Sequence, residues 1–291
     1  MDIQSIQAFL SVSETGSFSR AADALFLTQP AISKRIQGLE QSLGVALFDR
    51  IGKSVRLTEA GHALLPGCKR IIDEVEEGRR IVSNLRETTS GLLSLATSHH
   101  IGLHRLPPVL REFSRQFPEV ELKLSFMDSE EACRQILNGE IELAIITLPG
   151  ESDGRLELVP VWHDPLCITV STQHELAAPG RHSLKQLLET DAILPATGTY
   201  TRKLIDQALG LDDSVRTLIE THYLETIKAM VQAGLGWSML PSSMLDHSLV
   251  ALEIRHKRTI RQLGAVVHSQ KTKSNAANAM IRLLSKYSDQ P

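Results

Sequence analysis

The chain has 291 residues, 42% of them apolar and 22% charged, with a net charge of −3. That length suits two or three compact domains, and that composition belongs to a globular chain rather than a disordered or fibrous one. No apolar run reaches the ~18 residues of a membrane span, and the opening MDIQSIQAFLSVSETGSF lacks the basic start of a signal peptide, so a cytoplasmic location is expected.

In the first segment Ile3, Ile6, Phe9 and Leu10 recur at three- and four-residue spacing, which predicts an amphipathic helix ended by Gly16. A second short helix is predicted from Ser17, with Phe18, Ala21, Ala22 and Leu25 facing inward. A third follows in FLTQPAISKRIQGLEQSLG, with Thr28 as N-cap, Pro30 in its first turn and Gly44 at its end. Leu27 and Ile32 have the spacing of a hydrophobic staple. Ile32, Ile36, Leu39 and Leu43 form one apolar stripe, while Pro30, Ser33, Lys34 and Gln37 fall on the opposite face, with Gln29 in the first turn.

Two helices joined tightly, the second leading with short polar and basic groups, suit entry into a DNA major groove. Gln29 has the geometry for adenine, Ser33 for phosphate or base, and Lys34 and Arg35 for phosphate or guanine. ALFDRIGKSVRLT then predicts a hairpin around Gly52-Lys53-Ser54, a wing whose Arg50, Lys53 and Arg56 would meet the backbone or minor groove. From Arg20 to Thr58 six basic residues stand against three acids, a local positive stretch in an acidic chain. Gly-Lys-Ser also ends a nucleotide-binding loop, but that motif needs glycine at position 47, where Leu47 stands.

These residues carry a resemblance. Phe9, Gly16-Ser17-Phe18, Ala21-Ala22, Gln29-Pro30-Ala31-Ile32-Ser33, Leu39-Glu40, Leu43-Gly44, Leu47-Phe48-Asp49-Arg50 and Leu57-Thr58-Glu59-Ala60-Gly61 together resemble the DNA-binding segment of LysR-type bacterial transcription regulators. The resemblance implies a winged helix-turn-helix with DNA contacts by Gln29, Pro30, Ser33 and Lys34, and by Arg50 and Lys53 at the wing.

From Thr58 to about Arg86 a long helix is predicted. Leu57, Gly61, Leu64, Cys68, Ile71, Val75, Gly78, Val82 and Leu85 form a seam of coiled-coil spacing, with a bend expected near Pro66. Pairing through this helix would set two DNA half-sites about 34 Å apart.

After Thr88-Thr89-Ser90-Gly91, strand and helix patterns alternate, which predicts parallel sheet in two α/β lobes. Strands are expected at LLSLATS, VELKLSF, IELAIIT, LCITVS, DAILPA, RTLIE, WSMLP, VALEIRH and LGAVVHS, with crossing strands near Val159–Asp164 and Gln262–Val267. Leu106-Pro107, Phe113, Phe117-Pro118 and Ile227–Gly236 make this half similar, more loosely, to the LysR effector domain, a two-lobed fold like periplasmic binding proteins.

Ligands in such folds bind at strand C-termini and helix N-termini. Thr97 and Ser98, Thr147, and Thr197 and Thr199 follow three predicted strands, and their hydroxyls with free backbone N–H groups suit a small anion; His100 is a further donor. The expected organisation is therefore α/β overall: 1–58 for DNA binding, 59–90 as linker and dimerisation helix, and 91–291 for the effector. Lobe I would take about 91–161 plus 267–291, and lobe II about 162–266.

No His-Glu-x-x-His, Gly-x-Ser-x-Gly or full dinucleotide fingerprint is present, so neither an enzyme nor a resident metal or cofactor is expected. Cys68, Cys133 and Cys167 lack Cys-x-x-Cys spacing and are expected to be buried reduced thiols. A solute-binding transport protein shares the fold but needs export, and a purely architectural DNA binder would leave the lobes unexplained. The expected partners are operator DNA with two-fold half-sites, further copies of the chain as a homodimer or homotetramer, and RNA polymerase, with no membrane.

Overall fold

A computed structural model describes residues 1–291 except 52–53, 86–87, 152–153, 179, 181, 212–214, 256 and 290–291, and except the side chains of 50, 51, 54 and 83. The chain divides into two compact units, Met1–Leu85 and Arg86–Pro291.

The first unit opens with α1 (Ile3–Thr15), capped by the Asp2 side chain and closed by Gly16 at φ 61. α2 (Phe18–Ala24) starts on the Ser17 side chain. α3 (Gln29–Leu43) ends on Gly44, whose φ of 73 is open to glycine at little cost. Thr28 occupies the N-cap position of α3, but its side chain makes no cap bond; the helix start rests instead on Pro30 and the backbone bonds to the Thr28 carbonyl. β1 (Phe48–Ile51) and β2 (Ser54–Leu57) pair antiparallel, ending on Ile51 opposite Ser54.

Ile6, Phe9, Val12, Phe18, Ala21, Ala22, Ile32, Ile36, Leu39, Leu47 and Phe48 form the core of this unit. The Phe9 and Phe48 rings lie 5.4 Å apart, so the first helix and the hairpin hold one another directly. Glu40 Oε1 accepts from the backbone N–H groups of Leu47 (2.7 Å) and Phe48 (3.3 Å), which ties α3 to the hairpin. Leu43, expected in the stripe, is exposed instead, because the last turn of α3 runs beyond the core.

α4 (Glu59–Ser83) is capped by Thr58 and runs on through Pro66, which gives up one hydrogen bond to the His62 carbonyl. Its expected seam divides. Cys68 is buried in the core just described, with Leu57 and Leu64 packed against it, whereas Ile71, Val82 and Leu85 are exposed. The first half of the helix therefore anchors its own unit, while the second half exposes Ile71, Ile81 and Val82.

In the second unit β3 (Gly91–Thr97) lies between β4 (Val120–Phe126) and β5 (Leu143–Thr147), all parallel. α5 (His99–His104), α6 (Leu106–Gln116) and α7 (Ser129–Asn138) connect them. β6 (Leu156–Ser171) is one 16-residue strand where two shorter ones were expected. α8 (Leu184–Leu188), β7 (Ala192–Pro195), α9 (Tyr200–Leu209), β8 (Thr217–Thr221), α10 (Leu224–Gln232), β9 (Ser238–Pro241) and β10 (Leu249–Ala251) follow. β11 (Thr259–His268) and α11 (Asn275–Lys286) complete the unit.

The sheet is mixed rather than parallel. β11 runs antiparallel to both β5 and β6, and β9 and β10 run antiparallel to β6; only β7 and β8 repeat the parallel pattern. The reason is that β6 and β11 cross between lobes in opposite directions, a pairing that alternation along the chain does not encode. The predicted strand VALEIRH keeps only its first two residues, Val250 and Ala251, since the chain leaves β6 after the Leu252 N–H bonds to the Ile168 carbonyl. Val161, Trp162, Leu263 and Ala265 pack in one lobe with Leu93, Phe113 and Met280, while Leu166 and Ile168 pack in the other with Trp237 and Met239. The crossing thus falls at 163–165 and 259–262. Both strands carry a charged residue there, Asp164 and Arg261, in register.

Candidate functional site

Two surfaces carry the expected site residues, and each belongs to one unit. On the first unit the burial of Ile32, Ile36 and Leu39 turns the other side of α3 to solvent. Gln29, Pro30, Lys34 and Gln37 are exposed there, and Ser33 is half-buried. Gln29 Nε2 donates to Ser33 Oγ at 3.2 Å, so the two expected base-reading groups form one polar ridge on the first turn. Arg35 stands apart: its guanidinium donates to Gln4 Oε1 on α1 at 2.9 Å, which makes it a brace between helices rather than a member of the ridge. Arg56 is exposed on β2 and faces Asp49 in register. The Arg50 side chain and Lys53 lie outside the described residues.

Phe26 was not singled out by sequence. It is 95% exposed, at φ 54, in the turn before α3. That backbone conformation is one that residues other than glycine rarely adopt.

On the second unit a cavity of about 50 Å³ opens between the lobes. Ser98, His100, Thr147 and Thr199 line it, as expected, with Ser129, Thr201, Tyr200 and Arg261. Ser98 and Thr199 stand at the N-caps of α5 and α9; the Thr199 hydroxyl donates to the Ala196 carbonyl and accepts from the Arg202 N–H. Thr97 and Thr197 are not in the lining. Thr97 is wholly buried and its hydroxyl donates to the Ile145 carbonyl at 2.8 Å, because the last residue of β3 points its side chain into the sheet. Thr197 is exposed and its hydroxyl donates to Glu220.

The charged groups were missed by sequence. Arg261 (3% exposed) donates through Nε to Asp164 Oδ2 at 3.0 Å, through Nη2 to the same oxygen, and through Nη1 to Thr201 Oγ1 at 3.3 Å. Asp164 is 1% exposed, and its Oδ1 has no hydrogen-bond partner among the described residues. Contacts between polar or charged groups span the lobes, His104 with Glu225 at 3.2 Å among them. Glu130 at the start of α7 accepts from the Tyr200 backbone N–H at the start of α9. Asp128 lies 2.8 Å from His222. His100 Nδ1 lies 3.1 Å from Glu225 Oε1. Burial drives the pKa of His100 down, against the pull of Glu225, so its neutral form is favoured. Burial likewise pushes up the thiols of Cys68, Cys133 and Cys167, which are free.

The arrangement offers hydroxyls, a buried guanidinium and helix N-termini around a small space, donor types suited to a small polar molecule. No helix among the described residues is long and apolar enough to cross a membrane.

Comparison with known proteins bears on both units. Residues 3–62 match the model for a bacterial regulatory helix-turn-helix protein of the LysR family, and residues 86–289 match the LysR substrate binding domain. A "Probable RuBisCO transcriptional regulator" of Synechocystis is 31% identical, over 99% of this chain and 87% of its own length. An uncharacterised HTH-type transcriptional regulator from the ibpB-leuC intergenic region of Azotobacter vinelandii is 63% identical over 108 residues, 37% of this chain and 75% of its own. Among solved structures, a full-length variant of OxyR from Pseudomonas aeruginosa superposes with a TM-score of 0.72 at 21% identity, over 99% of this chain and 94% of its own. Full-length CbnR complexed with its target DNA gives 0.67 at 21% identity, over 99% and 100%. The chain belongs to the LysR family of transcriptional regulators, with a helix-turn-helix domain followed by an α/β substrate-binding domain.

Proposed function

We propose that this regulator grips operator DNA through the outer face of α3 and the hairpin, and that a small anion in the interlobe cleft sets its DNA-bound form. Residues 1–58 are the DNA-binding part, 59–90 the linker and dimerisation helix, and 91–291 the effector domain. The observation that carries the reading is the two-sidedness of α3: Ile32, Ile36 and Leu39 are sunk in the core while Gln29, Pro30, Lys34 and Gln37 stand free. A helix anchored in this way offers its leading polar residues to base edges and the basic hairpin to phosphates. The exposed Ile71, Ile81 and Val82 on the second half of α4 support pairing of two copies, from which a two-fold or four-fold assembly on paired half-sites follows, and the structure of CbnR with its target DNA supports DNA as the partner. The reading places the protein in the cytoplasm, with RNA polymerase as a further partner at the promoter.

For the effector, Glu130 supplies the argument. Its carboxylate already occupies the start of α9, bonded to the Tyr200 N–H, and it lines the same cavity as Arg261. A free carboxylate or sulfate of similar size would replace it there and change how the lobes close. Such a ligand switches the protein only if it binds the two closures with different affinity.

The test uses the full chain on a short duplex selected from a random pool. Lys34→Ala with Arg50→Ala should abolish binding at moderate salt and leave folding and anion binding intact, because lost phosphate contacts weaken binding steeply. Wild-type affinity in that double variant would show that the assigned surface is wrong. Titration with small organic acids and inorganic anions should alter the footprint, and binding of apolar ligands alone would overturn the anionic assignment.

A further inference from the structure

One group of side chains at the rim of the cleft is not used by the hydroxyl array around Arg261. His100 and His104 stand four residues apart on α5, so their rings share a face, with centroids 4.8 Å apart. Glu225, in the first turn of α10, comes from the opposite lobe. Its Oε1 lies 3.1 Å from His100 Nδ1 and 3.2 Å from His104 Nε2, and the ligand atoms of all three lie within 4.8 Å of one another.

Two imidazole nitrogens converging on one carboxylate oxygen form a set of two nitrogen donors and one oxygen donor. Zinc bonds such groups at about 2.0–2.2 Å, so neighbouring donors of a tetrahedral site sit about 3.3–3.5 Å apart. The two separations from Glu225 need only a few tenths of an ångström of opening to reach that, and the two imidazole nitrogens, within 4.8 Å of each other, would draw together on the ion. Proton placement permits it as well. In the metal-free protein the Glu225 carboxylate, an acceptor only, draws the His100 proton to Nδ1; metal binding would shift that proton to Nε2, which has no hydrogen-bond partner among the described residues, and free the Nδ1 lone pair for the ion. Imidazole donors select zinc-like transition metals over magnesium or calcium, which prefer all-oxygen sites.

We propose that His100, His104 and Glu225 bind one divalent transition-metal ion of the zinc type, which joins α5 of one lobe to α10 of the other. Three protein ligands leave a fourth position for water or for an acidic group of a cleft ligand. The site is independent of which anion the cleft takes. Its histidine spacing, four residues along one helix, was present in the sequence, but the third ligand lies more than a hundred residues away and comes together with the pair only in the fold.

The experiment uses tag-free full-length protein stripped with EDTA, then titrated with Zn²⁺ and separately with Co²⁺. The expected result is one tight equivalent per chain, visible Co²⁺ absorption bands, and a thermal midpoint raised by about 5 °C at a hundredfold excess over the dissociation constant. His104→Ala and Glu225→Gln should each weaken binding by about tenfold or more, while His222→Asn leaves it unchanged. His104 is half-exposed at 51%, so its loss spares the fold, and circular dichroism melts of the metal-free variants check this. Absence of a tight equivalent, or equal binding by the His104→Ala/Glu225→Gln double variant, would overturn the site. Anion titration of the metal-free His104→Ala protein reports on the effector reading separately, since that reading requires its response to persist.

Discussion

Asp164→Asn perturbs the point where the two lobes exchange strands. Asp164 Oδ2 takes both the Nε and Nη2 bonds of Arg261, and both residues are almost wholly buried. Asparagine keeps the shape and one acceptor oxygen but removes the negative charge that faces the guanidinium. Breaking a buried pair in this way costs about 3–5 kcal/mol, because the remaining charge is left without compensation. For a domain of this size each kcal/mol moves the midpoint by roughly 2–4 °C, so the variant should melt about 10 °C lower. Arg261 lines the cavity, so small anions should restore part of that loss in the variant and do less for the parent. Thermal unfolding of the full chain, with and without millimolar sulfate and small carboxylates, reads both effects. Replacing the pair together, Asp164→Leu with Arg261→Met, should recover most of the stability. A variant melting within about 2 °C of the parent, or gaining no more from anions than the parent does, would refute the reasoning.

Two further outcomes test the packing and the surface charge. In Gly61→Ala the added Cβ would lie 2.3 Å from the Leu47 carbonyl oxygen and 2.8 Å from Leu57 Cδ2, and that carbonyl already accepts the Thr58 N–H. The variant should lose about 2 kcal/mol in denaturant melts despite alanine's better helix propensity, and a gain in stability would contradict the docking of α4. For Glu220, hydrogen bonds from Arg202, against a burial cost, and from Thr197 hold the carboxyl below its ordinary value. Its contribution is therefore present above about pH 4.5 and fades as pH falls below that. Glu220→Gln should cost under about 1 kcal/mol at pH 7, the pair being partly exposed, and nothing near pH 3; a cost that does not change with pH would contradict the ion pair.

The DNA-facing half was legible because its signals are local. Gly16, Ser17, Pro30 and Gly44 punctuate the helices within a few residues of the groups they cap. Ile32, Ile36 and Leu39 then assign the buried side of α3, leaving the ridge on the other. The same logic failed at Leu43, where the stripe outlasts the core, and at Arg35, whose partner Gln4 lies on a different helix. In the effector half, the rule that ligands sit where strands end picked out Ser98, Thr147 and Thr199, which line the interlobe cavity. It misplaced Thr97 and Thr197 because it does not specify which way a side chain points, and each of those hydroxyls had a nearer acceptor. Applied once more, to the end of β4, it would have found Ser129. Arg261 had no local signal at all: its partner Asp164 lies 97 residues away, and only the antiparallel crossing of β6 with β11 brings them together.

If the first turn of α3 reads bases, the sharpest measurement is base preference rather than affinity. Selection from a random duplex pool by the wild-type chain should yield paired half-sites with a strict requirement at one position in each. Gln29→Ala should relax that single position by about 1–3 kcal/mol, leaving the others and the spacing unchanged. A Gln29→Ala chain that selects the same sequence with the same stringency would mean that α3 does not lie in the groove.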